Sequence, residues 1–371
     1  MRRSLQVLIL CAQVGESHLV MARTAGEQLE AQPQVRDVEI INDFNVLGRS
    51  LGGYLRTSFK LHLGRLQWSY DLAYSVFAKS SLGRIAGEQA LSLLGAKALL
   101  QTIEAKRPDL VVSTYPVMNP ILGALRAQNR ISCPVAAVVG PAAGLAYWVH
   151  RGIDLHLLNY HSARDELRRL APQARAEAVR PLVRSEFFEP ALDREQARAS
   201  LALPAKERIV LVSGGGWGAG DLLGAVDACL AVPDVHVVVL AGRNDAVHRL
   251  LSQRFASQRR VRLLAFSDQM RALLTAADVF IAATAGLSCI EAHLCGCPTI
   301  CYGFSIGHVR DNTMALQALG RATVASNVRQ LPDRIEAELE RGRPQPPPPP
   351  HLPTAADLLI PLALSSTTRR G

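Results

Sequence analysis

The sequence has no long apolar run. Nowhere do about 18 apolar residues follow one another, which is the length that a transmembrane helix needs. The apolar run at residues 7–12 follows Arg2 and Arg3 but is too short for a signal peptide. We therefore expect no membrane-spanning helix, so that any membrane contact is peripheral.

Cysteine is sparse and odd in number. The seven cysteines, most of them inside apolar runs, are Cys11, Cys133, Cys229, Cys289, Cys295, Cys297 and Cys301. This pattern argues against a disulfide framework and favours a reducing cytosol. Cys295 and Cys297 flank Gly296, but no second cysteine pair or histidine pair accompanies them, so we expect no structural zinc site.

Aromatic residues make up only 5% and charged residues 20% of the 371 residues, against 49% hydrophobic residues. This balance is typical of a folded globular chain, and the length predicts two domains. The net charge of +9 suits a nucleic acid, an anionic membrane surface or a phosphate-bearing substrate equally well. The charge therefore does not identify the partner.

Two series of short apolar runs alternate with segments of helical periodicity. The first series lies at residues 7–11, 38–41, 110–113, 135–139 and 155–158, and the second at 209–213, 235–241, 261–265, 279–283 and 298–302. Such runs are typical of parallel strands covered on both faces. We predict an α/β fold of two doubly wound, Rossmann-like domains facing a cleft, at residues 1–183 and 205–335. A Pro-rich linker and a weakly ordered tail are expected at 344–371.

Residues 51–82, called the aromatic segment below, mix rings with cations. The rings are Tyr54, Phe59, Trp68, Tyr70, Tyr74 and Phe77, and the cations include Arg56, Lys60, His62, Arg65 and Lys79. A helix of this composition can lie in a lipid headgroup layer, stack on bases, or cover the core of the first domain. The residues alone leave these three interpretations open.

A short loop at residues 11–18 follows the first predicted strand and precedes a helix, whose first N–H groups attract anions. His18 would then lie at the mouth of the cleft, where an imidazole can take a proton from an acceptor hydroxyl. A lone histidine after a strand is more often structural, so this position alone does not establish catalysis.

Two turns in the second predicted domain favour a nucleotide. Residues 213–220 read Ser-Gly-Gly-Gly-Trp-Gly-Ala-Gly after a strand, without the Lys-Ser or Lys-Thr of a P-loop, which indicates either a ligand-facing turn or a tight structural turn. In residues 280–292 a strand and a small-residue turn precede a helix that opens near Gly286. Free N–H groups there can bind a diphosphate, and Glu291 can accept hydrogen bonds from ribose hydroxyls.

With these motifs in this order, the chain resembles the glycosyltransferase family 28 lineage over most of residues 5–330. It is most similar in motif to the monogalactosyldiacylglycerol synthase group and to the peptidoglycan N-acetylglucosaminyltransferase that forms lipid II. The resemblance implies a GT-B fold in which the first domain binds a lipid-borne acceptor and the second a nucleotide sugar. It also implies hexosyl or N-acetylhexosaminyl transfer from a UDP-sugar, with inversion and with no cofactor or metal.

The resemblance further implies His18 as the catalytic base. The positions that it assigns to the nucleotide sugar are Arg184, Gly214, Gly215, Trp217, Gly218, Arg243, Asn244, Phe266, Ser267, Met270, Gly286, Leu287, Ser288, Glu291 and His308. The aromatic segment lies where lipid-synthesising members have a membrane-associated insert. This favours peripheral contact with an anionic membrane, at the inner face of the cytoplasmic membrane.

The sequence departs from the family pattern in three places. Glu16 and Ser17 stand where glycines are usual, and the turn at residues 283–286 is Ala-Thr-Ala-Gly, without the usual Lys, Arg or Ser. His308 and Val309 replace the polar pair that contacts the donor sugar, so the transferred hexose is left open.

Two other functions would also explain the motifs of the second domain. They are a UDP-sugar epimerase of the same architecture and a degenerate, non-catalytic nucleotide-sugar-binding protein. Nucleic-acid binding is not expected, because the basic residues are spread along the chain.

Overall fold

The computed structural model describes residues 4–12, 15–64, 67–303 and 306–367, without the side chains of residues 59–64, 67, 68, 366 and 367. The chain forms two compact units. Unit 1 comprises Met1–Arg184, Ile306–His308 and Pro350–Gly371, and unit 2 comprises Ser185–Ser305 and Val309–Pro349. Each unit contains one parallel six-stranded sheet, so the predicted α/β class is confirmed.

Unit 1 has the strand order β2-β1-β3-β4-β5-β6. Its strands are β1 (Leu5–Cys11), β2 (Val35–Asn42), β3 (Leu110–Ser113), β4 (Val135–Val139), β5 (Leu155–Leu158) and β6 (Ala176–Ala178). Its helices, in chain order, are α1 (Ser17–Glu30), α2 (Arg49–Gly64), α3 (Gln67–Tyr74), α4 (Ser81–Lys106), α5 (Met118–Ala127) and α6 (Ala163–Leu170). Every residue of β3, β4 and β5 is buried, which explains why these strands are apolar except for Ser113 and His156.

Unit 2 has the strand order β12-β11-β10-β7-β8-β9. Its strands are β7 (Arg208–Ser213), β8 (Val235–Leu240), β9 (Val261–Leu264), β10 (Val279–Ala282), β11 (Thr299–Cys301) and β12 (Thr323–Val324). The helices of this half of the chain are α7 (Arg194–Ser200), α8 (Leu222–Ala231), α9 (Asp245–Arg254), α10 (Met270–Ala276), α11 (Leu287–Leu294), α12 (Gly307–Ala318) and α13 (Leu331–Arg341). The first two residues of α12 belong to unit 1.

Three aspartates, each directly before a strand, pair with the amino end of the neighbouring strand. Asp278 donates its N–H to Ile209 O at 2.7 Å, and its carboxylate accepts the N–H of the same residue at 2.7 Å. Asp154 pairs in the same way with Val135, donating its N–H at 2.9 Å and accepting at its carboxylate at 2.8 Å. Asp109 pairs in the same way with Gln6 of β1. The side chains thus satisfy N–H groups that parallel pairing leaves open at this edge.

The aromatic segment forms α2, α3, a π-helical turn at Ser75–Lys79 and the start of α4. Leu51 and Leu55 of α2 are buried in the core of unit 1, as expected for a cover, whereas Tyr54 is 68% exposed. Phe59, Lys60, His62, Arg65 and Trp68 lie outside the described residues or side chains. None of the helices in the described ranges is long and apolar enough to cross a membrane.

The residues after the proline run form a helix, α14 (Ala355–Thr367). Its buried apolar residues are Ala355, Ala356, Leu359, Ile360 and Ala363. The helix packs against α1, and Arg180 donates its N–H to Pro353 O at 2.8 Å. The prediction of a weakly ordered tail at residues 351–371 is therefore wrong for residues 355–367. The apolar side chains of this helix pack against α1, and the sequence of the tail alone does not show that contact. The proline run at residues 344–350 lies outside helices and strands, as predicted.

We expect Asp278→Ala to lower the free energy of unfolding by about 3–5 kcal/mol, because it leaves the guanidinium of Arg198 without its carboxylate. Arg198 is 5% exposed and donates to Asp278 at 2.8 Å. Urea unfolding followed by circular dichroism measures the loss. Asp227→Ala is the matched control, since the exposed Asp227–Arg254 pair in the same unit should contribute less than about 1 kcal/mol. Equal losses in the two variants would contradict the assignment.

Unit 1 also contains one buried and one half-buried histidine, His156 and His150, that are neutral. His156 is fully buried, and its Nε2 accepts the His150 N–H at 3.3 Å, so its proton lies on Nδ1 and is donated to Arg175 O. Burial lowers the pKa of His156 to about 4, although the Arg175 carbonyl raises it and His150 lowers it further. Burial, followed by Arg151 and Arg84, lowers the pKa of His150 to about 4 as well. Both imidazoles are therefore uncharged at neutral pH.

We predict that stability falls as the pH is lowered from about 6.5 to about 4. In this pH window the histidines of the unfolded chain, whose pKa is near 6.5, become protonated, whereas His156 in the folded chain stays neutral. A fully buried histidine with such a shift contributes on the order of 3 kcal/mol to this loss. His156→Gln should therefore flatten the plot of unfolding free energy against pH, and the exposed His161→Gln should leave its slope unchanged. An unchanged slope in His156→Gln would show that this histidine does not titrate between the two states.

Candidate active site

His18 is the second residue of α1 and follows the carboxyl end of β1. Its Nδ1 lies 2.7 Å from Thr114 O, and because a carbonyl only accepts, this nitrogen carries the ring proton. The Thr114 hydroxyl donates in turn to His18 O at 3.0 Å. These two bonds orient the ring and leave a lone pair on Nε2, which is the atom that can accept a proton.

Two aromatic side chains enclose the imidazole. The ring of Tyr115 meets His18 edge-on with centroids 5.0 Å apart, and Trp148 stacks on it at 5.5 Å. Burial lowers the pKa of His18 to about 4; the Thr114 carbonyl raises it less than burial lowers it, and His308 lowers it slightly. His18 is therefore neutral at pH 7, which is the state that a general base requires.

The loop that carries Trp148 is itself fixed by hydrogen bonds. The carboxylate of Glu166 accepts the N–H groups of Gly144 and Leu145 at 3.0 and 2.9 Å, and the buried Asn119 side chain donates to Trp148 O at 2.9 Å. The sequence analysis missed Thr114, Tyr115 and Trp148. They follow the carboxyl ends of β3 and β4, where ligands bind in open α/β sheets, and this rule could have pointed to them.

His308 lies in unit 1, although the motif order had placed it in the second predicted domain. Its Nδ1 is 2.6 Å from the hydroxyl of Tyr70, and its ring also contacts Tyr74, with centroids 6.3 Å apart. The preceding Gly307 donates its N–H to the Asp71 carboxylate at 2.7 Å. His18 and His308 are close enough for the second to lower the pKa of the first. Unit 1 thus brings together two of the histidines singled out from the sequence.

In unit 2 the glycine loop, residues 213–220, follows β7 and packs on three neighbouring loops. Gly215, Gly218 and Gly220 have positive φ angles of 66°, 58° and 87°. A Cβ at Gly218 would lie 2.3 Å from Ala241 O, and one at Gly220 would lie 2.7 Å from the side chain of Ala283. Glycine is therefore required here for backbone conformation and for close approach, whatever else the loop binds.

The turn after β8 is hydrogen-bonded to the glycine loop. Arg243 donates its N–H to Gly216 O at 2.8 Å, and the side chain of Asn244 donates to Trp217 O at 3.1 Å. Asn244 also accepts the N–H of Val247 and so caps α9. The guanidinium carbon of Arg243 lies 3.6 Å from the centroid of the Phe266 ring, which is a cation–π contact. These contacts connect Trp217, Arg243, Asn244 and Phe266, four of the residues assigned to the nucleotide sugar, within unit 2.

The loop after Phe266 ends where α10 begins. The hydroxyl of Ser267 accepts the N–H of Gln269 at 3.2 Å, and Met270, the first residue of α10, is buried. Arg184 is half-buried and is the last residue of unit 1, after the buried Val183. The structure therefore groups Ser267 and Met270 with the donor motifs of unit 2 and Arg184 with unit 1.

Helix α11 begins after Gly286, whose extended backbone offers no side-chain cap, and its first turn has no acidic residue. The N–H groups of Leu287 and Ser288 accordingly lie at a helix N-terminus, which attracts anions. Glu291 is 7% exposed on the same helix. The side chain of Asn312, on α12, donates to Ala285 O and so fixes the turn before α11; the sequence analysis did not assign it.

Within the described ranges, no three histidine, cysteine or acidic side chains form a group that could bind a metal ion. The seven cysteines are free thiols. Burial raises the pKa of Cys11 and of Cys297 to about 12, so these side chains are neutral at pH 7.

Both halves of the chain match known families. Residues 18–174 match the family described as monogalactosyldiacylglycerol (MGDG) synthase, and residues 209–354 match the glycosyltransferase family 28 C-terminal domain. Over 342 residues the chain is 25% identical to the processive diacylglycerol beta-glucosyltransferase of Bacillus cereus (strain AH187), an alignment that covers 90% of this chain and 86% of that protein.

Solved structures with the same fold include two with different reactions. The UDP-GlcNAc 2-epimerase from Neisseria meningitidis is 13% identical with a TM-score of 0.61, covering 97% of this chain and 100% of that chain. Acinetobacter baumannii MurG is 14% identical with a TM-score of 0.53, covering 98% and 95%. At such identities the likeness establishes the fold alone, so it does not choose between transfer and epimerisation.

The two family matches, unlike the fold, distinguish glycosyl transfer from epimerisation. The first includes His18 with Thr114, Tyr115 and Trp148, which contact it, and the second runs from the strand before the glycine loop through Glu291. The predicted resemblance is confirmed, and so are the GT-B fold and the transferase class. The chain belongs to the glycosyltransferase family 28 lineage and is a GT-B glycosyltransferase.

Proposed function

We propose that this glycosyltransferase transfers a hexosyl or N-acetylhexosaminyl group from a UDP-sugar to a hydroxyl of a lipid-borne acceptor, with inversion at the anomeric carbon. Unit 1 binds the acceptor, and the donor-binding residues lie mostly in unit 2. The observation that carries the proposal is the neutral His18, whose Nδ1 proton is engaged by Thr114 O.

His18 acts as the general base of this reaction. Its Nε2 lone pair takes the proton of the acceptor hydroxyl as that oxygen attacks the anomeric carbon, and the positive charge that forms on the ring is stabilised by the Thr114 carbonyl. The low pKa keeps the ring unprotonated down to about pH 5, so the base is ready over the whole neutral range. The enclosing Tyr115 and Trp148 rings keep water from competing for the same nitrogen.

The donor is held by backbone groups and a few side chains. The N–H groups at the start of α11 receive the diphosphate and stabilise the charge that develops as it leaves. Glu291 accepts the ribose hydroxyls. The Arg243–Phe266 stack and the loop through Ser267 offer a flat surface and backbone groups to the base.

A lipid acceptor is supported by the relatives named as diacylglycerol glucosyltransferases and by the surface of unit 1. The exposed apolar side chains of the aromatic segment and the following helix are Tyr54, Leu72, Val76, Phe77, Leu82, Ile85, Leu93 and Leu94. Singly exposed apolar residues are ordinary, but a group of this size beside Lys79 suits a lipid surface with anionic headgroups. Peripheral contact of this surface with a membrane would bring a lipid acceptor to unit 1.

The test is incubation of the pure protein with UDP-, GDP- and dTDP-sugars and with vesicles that contain diacylglycerol, followed by mass spectrometry. Transfer gives free nucleotide and a glycolipid in equal amounts, and only when acceptor is present. An epimerase would instead change the sugar in the absence of any acceptor. If no donor releases nucleotide in the presence of acceptor, the proposal is wrong.

We predict that His18→Asn and Glu291→Gln separate turnover from nucleotide binding. The amide of asparagine can still donate to Thr114 O, but it has no basic nitrogen, so kcat should fall about 10²- to 10⁴-fold while UDP affinity stays within twofold of the wild type. Glu291→Gln should weaken UDP binding through the ribose and change kcat less. Initial rates and calorimetric titration with UDP measure the two effects. Loss of UDP binding in His18→Asn would reverse the assigned roles.

A further inference from the structure

Tyr115 is a buried side chain whose ring is packed beside His18 and whose hydroxyl is unpaired. It follows β3 in unit 1 and is 1% exposed. Its ring meets His18 at 85° with centroids 5.0 Å apart, and Phe44 at 83° with centroids 5.6 Å apart. Within the described part of the chain, no group forms a hydrogen bond with its hydroxyl oxygen.

The backbone of Tyr115, in contrast, is fully hydrogen-bonded. Its carbonyl oxygen accepts the Ser113 hydroxyl at 3.1 Å and the Met118 N–H at 3.2 Å. Its own N–H donates to the Ser113 hydroxyl oxygen at 3.3 Å. Backbone bonds and ring contacts therefore place this side chain, and the phenol hydroxyl takes no part in placing it. A phenylalanine would pack here equally well.

A buried hydroxyl without a partner lowers stability, because it gives up its hydrogen bonds to water and gains none in the protein. Such atoms are rare in native proteins, and one reason for keeping them is that the group serves a ligand. Burial raises the pKa of Tyr115, and the nearby phenol of Tyr70 raises it further, so the hydroxyl keeps its proton. Tyr115 thus offers an unused hydrogen-bond donor beside His18.

We propose that the Tyr115 hydroxyl binds the acceptor, donating a hydrogen bond to an oxygen next to the hydroxyl that His18 deprotonates. A bond to the reacting oxygen itself would occupy a lone pair that this oxygen needs for attack. His18 is partly exposed and the Tyr115 hydroxyl is covered, so the side chains over it move as the acceptor enters.

This inference rests on the proposed function, since it names a group of unit 1 that holds the acceptor. It also narrows the class of acceptor. A second oxygen beside the reacting hydroxyl is present in glycerolipids and in sugars, and it is absent from a simple long-chain alcohol. Tyr115 would therefore favour the first two classes over the third.

Tyr115→Phe tests the proposal, because it keeps the ring packing and removes only the hydroxyl. The assay uses diacylglycerol in phosphatidylcholine vesicles and the UDP-sugar that the wild type turns over. The KM for diacylglycerol should rise about 5- to 10-fold, with kcat and the Kd for UDP within about twofold of the wild type, in line with one lost hydrogen bond to the acceptor. The melting temperature should equal or exceed that of the wild type, because an unpaired hydroxyl contributes nothing to the fold.

Tyr147→Phe is the control for stability. Tyr147 is half-buried in the same unit, and its hydroxyl donates to Phe77 O at 2.8 Å, so its removal should lower the melting temperature. A comparable fall in Tyr115→Phe, or failure of that variant to fold, would show that the Tyr115 hydroxyl has a partner in the protein and would overturn the proposal. An unchanged KM for diacylglycerol, or an equal weakening of UDP binding, would overturn it as well. Failure of the wild type to transfer to any acceptor would instead remove the proposed function.

Discussion

The pairing of aspartates with the amino ends of neighbouring strands fixes the register on which both sheets depend. Parallel strands have slanted hydrogen bonds that leave N–H groups open at the amino edge. Asp278 and Asp154 each close such a gap with two bonds to one residue of the next strand, and each carboxylate also binds a guanidinium. With the amino ends aligned in this way, the carboxyl ends of β1 and β3 in one sheet, and of β7, β8 and β10 in the other, end near one level.

This alignment decides where the chemical groups lie. In unit 1 it brings Thr114, at the end of β3, against His18, at the end of β1, although 96 residues separate them. In unit 2 the same alignment brings the loops after β7, β8 and β10 close together. A side chain at position 218, 220 or 242 would clash with a neighbouring loop, so each of these positions is glycine. The glycine content that suggests a ligand in the sequence is thus required first by packing. Ligand binding uses the exposed N–H groups that this packing leaves.

The strands of both sheets could be predicted because buried parallel strands are continuous apolar runs. The runs at 110–113, 135–139 and 155–158 are confirmed residue for residue as β3, β4 and β5, and the others agree within about three residues at each end. β6 and β12 could not be found in this way, since they have three and two residues at sheet edges. The enclosure of His18 by Trp148 and the packing of α14 on α1 are long-range contacts. No local pattern encodes such contacts, so only general rules about sheet edges point to them.

The nearby His18 gives a physical reason why His308 and Val309 stand where the family pattern has a polar pair. A carboxylate close to His18 would favour the protonated imidazole and raise its pKa, whereas His308 lowers it. Two imidazoles so placed resist being charged together, so His18 stays available as a base. Within unit 1 His308 is in turn held by Tyr70, whose hydroxyl lies 2.6 Å from its Nδ1. The position at which the chain departs from the family pattern is therefore in contact with a residue of the aromatic segment that is far from it in the sequence.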